Sequence, residues 1–249
     1  MATIPAGLVP HANPASRIIF ALDFSTIAEA TAAAQNLGER VGMVKIGLEL
    51  FVAGGPEAIK IGAAVGLPVF LDLKLHDIPE TVERAINRAA AFNCRIITVH
   101  ASGGSEMLRR AVREAEASRT DLQVAAVTVL TSLDSPDLAT LGISGGVSDH
   151  ASRLAKVAFD QGVRNFVCSP HEVAMMRAVL GKDVTLITPG VRLSDRQKDD
   201  QKRIATPARA VREGADFVVI GRPIRDATNP VSAAEEVARE IAHGLTERA

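Results

Sequence analysis

The sequence has few of the aromatic side chains on which proteins stack the bases of single-stranded nucleic acid. It has no tryptophan, no tyrosine and only 8 phenylalanines among 249 residues. Proteins that hold single strands stack the bases on aromatic rings, so this composition argues against such a surface. The 28 basic and 29 acidic side chains leave a net charge of -1, which gives no reason to expect a polyanionic duplex as partner. We therefore expect no nucleic-acid partner.

Cysteine and long apolar runs are also scarce. The two cysteines, Cys94 and Cys168, are too few to staple a chain of this size, and we expect both to be reduced. The sequence contains no stretch of about 18 apolar residues, the length that a membrane-spanning helix needs. The start of the chain lacks the basic region and apolar run of a secretory signal. Together these features predict a cytoplasmic protein with no membrane partner.

The sequence divides into a short start and one long domain. Residues 1–16 contain Pro5, Pro10 and Pro14 and show no regular pattern, so we predict a loose N-terminal tail. No linker or shift in composition interrupts the rest, and residues 17–249 are predicted to form one domain. Hydrophobic residues make up 47% of the chain and charged residues 23%, which is ordinary for a globular protein.

Eight short apolar runs alternate with helical patterns along this domain. Several runs are continuously apolar, as in strands that are covered on both faces, which favours a parallel sheet. Eight strand–helix units in about 250 residues are typical of a (β/α)8 barrel, the TIM barrel of the α/β class. The predicted strands are 17–23, 43–48, 69–74, 95–100, 123–130, 165–169, 184–188 and 217–220.

A doubly wound open sheet is the structural alternative. Such a sheet usually has fewer strands at this length, and a nucleotide-binding one often carries a glycine-rich turn after its first strand. Here the first strand runs into Ala21-Leu22-Asp23-Phe24-Ser25, which contains no glycine. The sequence therefore favours the barrel.

Polar and charged residues gather at the predicted carboxyl ends of the strands, where barrel enzymes carry their chemistry. Any one of them could be a solvated loop residue, but their joint placement indicates an active site. The residues are Asp23, Lys45, Asp72, Lys74, Asp77, His100, Thr131, Ser132, Ser169, Arg192 and Arg222.

The third strand carries the most informative spacing. Asp72 and Lys74 are two residues apart, so a regular strand would place both side chains on one face. Burying an isolated charge is costly, and we expect the two to pair. One interpretation is a structural salt bridge near the top of the barrel. The functional one adds Lys45 and Asp77 to give an alternating cluster that keeps one lysine protonated as a positioned acid.

The last two strands end in a second pattern, which suits an anion. Barrels often bind phosphate with the loops after strands seven and eight. Gly190 and Gly221 would let backbone N–H groups approach an anion, and Arg192 and Arg222 would add charge-assisted contacts. The plain alternative is two turns with exposed arginines.

The segment after Arg192 is highly polar and mixes both signs of charge. Residues 193–203 are predicted to form a lid over the phosphate, with Gln201 as a candidate ligand; a solvated loop is the alternative. No spacing of His, Cys and carboxylates resembles a closed metal site, and no Walker-type sequence occurs. We therefore expect no metal.

These residues resemble a known family, that of the orotidine 5′-phosphate decarboxylases. The resemblance extends from about Arg17 to the final helix, and Asp72-x-Lys74-x-x-Asp77 inside "FLDLKLHDIPETV" is highly specific for it. The other matching segments follow in the family's order: "ALD" ending at Asp23, "VKIG" around Lys45, "PGVR" ending at Arg192 and "IGRPI" around Arg222.

The resemblance implies decarboxylation of orotidine 5′-monophosphate to UMP and CO2, the last step of de novo pyrimidine biosynthesis, without cofactor or metal. It implies that Lys74 protonates C6 of the pyrimidine, and it implies a homodimer whose two active sites are shared between subunits. It assigns catalysis to Lys74, Asp72, Lys45 and Asp77, and substrate binding to Asp23, Lys45, Asp72, Asp77, Ile78, Thr81, Thr131, Ser132, Pro189, Arg192, Gln201, Gly221 and Arg222.

Two other functions are compatible with parts of this pattern. A 3-keto-gulonate-phosphate decarboxylase or a hexulose-phosphate synthase has the same barrel and the same Asp-x-Lys-x-x-Asp element, but uses a metal and an enediolate. The "HDIPETV" continuation and the "PGVR" segment with Gln201 favour the pyrimidine enzyme. A phosphate-binding barrel without activity is the non-enzymatic alternative, and the intact Lys74 with its carboxylates argues against it.

Overall fold

The eight predicted strands close into one parallel barrel in chain order, from β1 to β8. The structure is a computed structural model that describes Leu8, residues 12–193 and residues 205–248. The closed ring of eight parallel strands confirms the prediction of a TIM barrel. The strands are β1 Ile18–Ala21, β2 Met43–Ile46, β3 Val69–Leu75, β4 Ile96–His100, β5 Gln123–Val127, β6 Asn165–Val167, β7 Thr185–Thr188 and β8 Phe217–Ile220.

Helices connect the strands and cover the outside of the barrel. In the described part of the chain they are α1 Ile27–Leu37, α2 Leu48–Gly54, α3 Lys60–Val65, α4 Pro79–Ala90, α5 Gly104–Ala117, α6 Ser135–Thr140, α7 Val147–Asp160, α8 Val173–Leu180, α9 Pro207–Arg212, α10 Arg222–Arg225 and α11 Pro230–Glu247. None of these described helices is long and apolar enough to cross a membrane.

The strands are apolar throughout because each has two buried faces. In β1, Ile19 and Ala21 belong to the cluster inside the barrel, whereas Ile18 and Phe20 belong to the layer between strands and helices. This alternation sends every second side chain to each face, and neither face meets water. A continuous apolar run is therefore compatible with a strand here.

Leu8 is bound at the end of the barrel opposite the carboxyl ends of the strands. Leu8 is buried and joins the interior cluster. Its N–H donates to Oδ1 of Asn165 at 3.2 Å, and its carbonyl accepts from the hydroxyl of Thr185 at 2.8 Å. Asn165 and Thr185 begin β6 and β7. The prediction of a loose tail is thus corrected at Leu8. Its side chain packs into the barrel interior, and its backbone is hydrogen-bonded to side chains at the start of β6 and β7.

Replacing Leu8 with alanine tests this anchor. Truncating a buried leucine removes apolar contacts and leaves a cavity, so Leu8→Ala should lower the free energy of unfolding by about 2–4 kcal/mol, as measured in urea. Leu141 is 66% exposed, and Leu141→Ala should change the free energy by less than about 0.5 kcal/mol. Equal, small effects of the two substitutions would show that Leu8 does not anchor the segment.

Candidate active site

A cavity of about 240 Å³ opens at the carboxyl ends of the strands. Its floor consists of side chains from inside the barrel, among them Ala21, Phe70 and Val219. Many of the residues singled out from the sequence reach this one space: Asp23, Lys45, Asp72, Lys74, Thr131, Pro189, Arg192, Gly221 and Arg222.

Four charged side chains form an alternating chain along one wall, which we call the charge cluster: Asp23, Lys45, Asp72 and Lys74. Nζ of Lys45 lies 3.1 Å from Oδ1 of Asp23 and 3.7 Å from Oδ2 of Asp72. Nζ of Lys74 donates to the same Oδ2 of Asp72 at 2.9 Å. The four residues lie in or just after three successive strands, β1 to β3. Each charge faces one of opposite sign. The expected pairing of Asp72 with Lys74 is present.

Asp72 stays ionised although it is buried. Burial by itself disfavours the charged carboxyl, but the charges of Lys45 and Lys74, with hydrogen bonds from Lys74 and Thr98, outweigh it and hold the pKa of Asp72 below its ordinary value of 3.8. A pair of unit charges about 4 Å apart attracts by about 4 kcal/mol at an effective dielectric constant of about 20. Two such cations explain why the carboxylate is stable in this position.

The backbone at Lys74 departs from a regular strand. Lys74 has a φ of 51°, in the left-handed region, and the pairing of β3 with β4 shifts register between Leu71 and Leu75. The side chains of Asp72 and Lys74 therefore meet at a bulge, whereas the sequence argument assumed regular alternation. The pairing was foreseen correctly, but the local geometry that produces it was not.

Two further residues shape the cluster, and the sequence analysis missed both. A Cβ on Gly47 would lie 2.8 Å from Nζ of Lys45 and 3.3 Å from Oδ1 of Asp23, so only glycine leaves room for that ion pair. The hydroxyl of Thr98 donates to Oδ1 of Asp72 and accepts from the N–H of Lys74. Gly47 lies inside the "VKIG" segment and could have been noticed there. Thr98 contacts β3 because of the way β4 is registered against β3, and this register cannot be read from the sequence.

The ends of the last two strands bring two arginines to the cavity. Arg192 follows β7 and Arg222 follows β8, and both line the cavity together with Gly190 and Gly221. The N–H of Arg192 donates to the carbonyl of Ala205 at 2.9 Å, and the N–H of Ala205 donates to the carbonyl of Gly190 at 3.3 Å. Gln201 and most of the predicted lid lie outside the described residues.

Some of the predicted residues do not line the cavity of their own chain. Ser132, Asp77, Ile78 and Thr81 are exposed and are not among the described residues that line it. Oδ1 of Asp77 accepts from the N–H of Ile78 at 2.7 Å, so its side chain folds over the start of α4. The expected four-membered cluster therefore contains Asp23 within one chain, where the sequence argument had placed Asp77.

A thiol also reaches the cavity. Burial is the main cause that raises the pKa of Cys168 far above its ordinary value, so this side chain stays a neutral thiol. Cys168 is also free of any disulfide, which agrees with the expectation that both cysteines are reduced. Within residues 12–193 and 205–248, no group of three or more His, Cys, Asp or Glu has an arrangement that could hold a metal ion.

The positions of Lys74 and Arg192 suit an elongated anion. One end of the anion would meet the ammonium group, and its negatively charged end would meet the guanidinium group. In a ring of eight strands, β3 lies opposite β7. The ammonium of Lys74 is therefore on one side of the cavity, and the guanidinium of Arg192 is across from it. An ammonium can give a proton, whereas guanidinium groups hold phosphate without losing theirs.

Comparisons with known proteins point in the same direction. The sequence profile of the "Orotidine 5'-phosphate decarboxylase / HUMPS family" matches residues 16–237. An orotidine 5′-phosphate decarboxylase of Anaeromyxobacter sp. (strain K) is 51% identical over 233 residues, which cover 94% of this chain and all of that protein. One of Nitrosomonas eutropha is 46% identical over 230 residues, which cover 92% of this chain and 99% of that protein.

Solved structures have the same fold. The crystal structure of orotidine 5′-phosphate decarboxylase from Lactobacillus acidophilus superposes with a TM-score of 0.79 at 33% identity, and covers 90% of this chain and 98% of that one. An uncharacterized conserved protein from Geobacillus kaustophilus also gives 0.79, at 31% identity, and covers 90% of this chain and 99% of that one.

The charge cluster predicts how the stability of the protein changes at acidic pH. Because the pKa of Asp72 is lowered in the folded state, its stabilising contribution is present above pH 3.8 and is lost as the pH falls through the folded pKa. Lys74→Met removes a cation and a hydrogen bond, so the pKa of Asp72 should rise and the loss should begin at higher pH. A carboxyl NMR titration measures this shift. Lys60→Met alters an exposed lysine and should leave the titration of Asp72 unchanged; an unchanged titration in Lys74→Met would contradict the coupling.

Proposed function

The chain belongs to the orotidine 5′-phosphate decarboxylase / HUMPS family, and we propose that it converts orotidine 5′-monophosphate to UMP and CO2 in pyrimidine biosynthesis. The observation that carries the proposal is the placement of the charge cluster and the two arginines in one cavity. That cavity offers a proton donor from β3 and a phosphate site after β7 and β8. The reaction needs no electron-accepting cofactor if charge at the reacting carbon is stabilised directly.

Lys74 is the proposed proton donor. The bond between C6 of the pyrimidine and the carboxyl carbon breaks, CO2 leaves, and the electron pair remains on C6. The ammonium of Lys74 gives C6 its proton, and the neutral amine regains one from solvent. A fixed positive charge beside C6 interacts more strongly as the carbanion develops, which is the condition for catalysis. Asp72 orients this ammonium from 2.9 Å and lies near the departing carboxylate.

The other residues that the family resemblance assigns to the substrate bind the parts of the nucleotide that do not react. Asp23 and Lys45 contact the ribose hydroxyls, Thr131 and Ser132 read the edge of the base, and Pro189 also contacts the substrate. Phosphate binding falls to Arg192, Gln201, Gly221 and Arg222. Because the phosphate is remote from C6, its binding energy is available to close the 193–203 lid and assemble the site.

A homodimer with shared active sites is part of the proposal. Asp77, Ile78 and Thr81 are assigned to the substrate, but all three are exposed and are not among the described residues that line the cavity of their own chain. Ile78 is 66% exposed, and Val52 on α2 is 81% exposed, which leaves apolar surface near these residues' end of the barrel for a second copy to cover. In a two-fold dimer each chain then completes the other's site.

We also assign the protein to the cytoplasm. Both cysteines, Cys94 and Cys168, are free and buried, as suits a reducing compartment. The proposed substrate is a soluble, charged nucleotide.

The direct test follows the loss of orotidine 5′-monophosphate absorbance with excess chelator present. Wild-type protein should turn over at full rate, and Lys74→Ala should lower kcat by at least about 10³-fold, because both the proton donor and the charge at C6 are lost. Lys60→Ala, at an exposed lysine, should keep wild-type activity. Activity that vanishes with chelator and returns with magnesium would instead indicate the metal-dependent sugar-phosphate chemistry.

Mixing two inactive variants tests the shared sites. Lys74→Ala and Asp77→Ala homodimers should each be impaired at both sites. After joint unfolding and refolding, about half the dimers are mixed, and in each mixed dimer one site has an intact Lys74 and an intact partner Asp77. About a quarter of wild-type activity should therefore return. If the mixture gives only the average of its parents although exchange is demonstrated, Asp77 acts within its own chain.

A further inference from the structure

We infer that Thr98 is a positioning residue that sets the placement of both Asp72 and Lys74, an inference that rests on the proposed function. Thr98 lies in β4, two residues after Ile96, and so shares the face that looks into the barrel. It is fully buried and lies outside the set of residues that line the cavity. It therefore acts on the substrate only through its neighbours.

The hydroxyl of Thr98 joins two parts of the bulge in β3. It accepts a hydrogen bond from the N–H of Lys74 at 2.8 Å and donates one to Oδ1 of Asp72 at 3.0 Å. A hydroxyl has one proton to give and lone pairs to accept with, so both bonds form at once. No apolar side chain of the same size can make either bond.

The bond to Lys74 supports an unusual backbone. Lys74 has a φ of 51°, which non-glycine residues rarely adopt and which persists only where surrounding structure holds it. The register shift between Leu71 and Leu75 interrupts the ladder between β3 and β4 at this point. Thr98 supplies the N–H of Lys74 with an acceptor that the interrupted ladder does not provide.

The bond to Asp72 fixes the plane of the carboxylate. Oδ1 is held by Thr98, which leaves Oδ2 directed at Nζ of Lys74, 2.9 Å away, and at Nζ of Lys45, 3.7 Å away. Thr98 itself is held from the other side, since it pairs with Ala125 in a regular part of the β4–β5 ladder. One buried hydroxyl thus transmits the regular register of β4 to the two groups nearest the reacting carbon.

Thr98→Val is the sharpest variant, because it keeps the shape of the side chain and removes the hydroxyl. Misplacing a catalytic group by about 1 Å can cost about 10²-fold in rate, so kcat should fall about 10- to 100-fold. KM should stay within about twofold, because the residues assigned to the phosphate are untouched. Thr98→Ser restores the hydroxyl and should bring kcat back to within about threefold of wild type.

Thr185→Val is the matched control. Thr185 is also buried in a barrel strand and loses one hydroxyl bond, but at the opposite end of the barrel. It should lower thermal stability, though by less than Thr98→Val, which removes two hydrogen bonds, and it should keep wild-type kcat. If Thr98→Val does not fold, Thr98→Ala takes its place, since it removes the hydroxyl without placing a methyl group against the carboxylate. A wild-type kcat in the folded variant, or equal losses of kcat at Thr98 and Thr185, would overturn the inference.

A crystal structure of Thr98→Val separates this inference from the proposed reaction. Lys74 should leave the left-handed region, or its Nζ should move away from Oδ2 of Asp72. If the wild type fails to decarboxylate the nucleotide while this change is seen, the proposed function is wrong and the positioning by Thr98 stands. If Lys74 and Asp72 keep their wild-type positions, Thr98 does not position them, whatever the activity.

Discussion

The burial of Asp72 between two lysines is the constraint from which the rest of the site follows. A carboxylate in this position is stable only while Lys45 and Lys74 keep their charges close to it. Removing Asp72 would leave the ammonium of Lys74 without its carboxylate, and removing either lysine would take from Asp72 one of its two cations. Attraction between opposite charges, as well as packing, therefore holds these side chains in place. The same arrangement leaves the ammonium of Lys74 in the cavity, ready to meet a negative charge that develops on a substrate.

The barrel supplies what this cluster requires from its surroundings. Neighbouring parallel strands deliver Asp23, Lys45 and Asp72 to one edge from positions far apart in the chain. The apolar interior below them excludes water, which strengthens each charge pair. The ends of β7, across the ring from β3, and of β8, beside β1, present Arg192 and Arg222 to the same space. Lys74 and Arg192 therefore approach the cavity from opposite strands, whereas Arg222 approaches it from the strand next to Asp23.

Much of this could be read from the sequence, because the relevant patterns are local. Eight apolar runs at regular spacing predict the strands, and residues just after those runs are predicted to share one rim. The strand bounds differ mainly at their ends: the run 123–130 contributes only Gln123–Val127 to β5. Hydrophobicity continues past the point where ladder hydrogen bonds stop, since Val129 beyond the strand is buried too. A buried residue after a strand looks the same in sequence as one within it.

The sequence alone determined the strand order, the charged residues at the rim and the family resemblance, since each depends on short segments and their order. Tertiary structure decided which carboxylate completes the charge cluster: Asp23, just after β1, pairs with Lys45, whereas Asp77 is exposed and accepts a hydrogen bond from the N–H of Ile78 just before α4. It also decided the bulge at Lys74 and the contact of that bulge with Thr98. These features depend on how one strand is registered against the next. Register is set by contacts between segments distant in the chain, and no local pattern of residues records it.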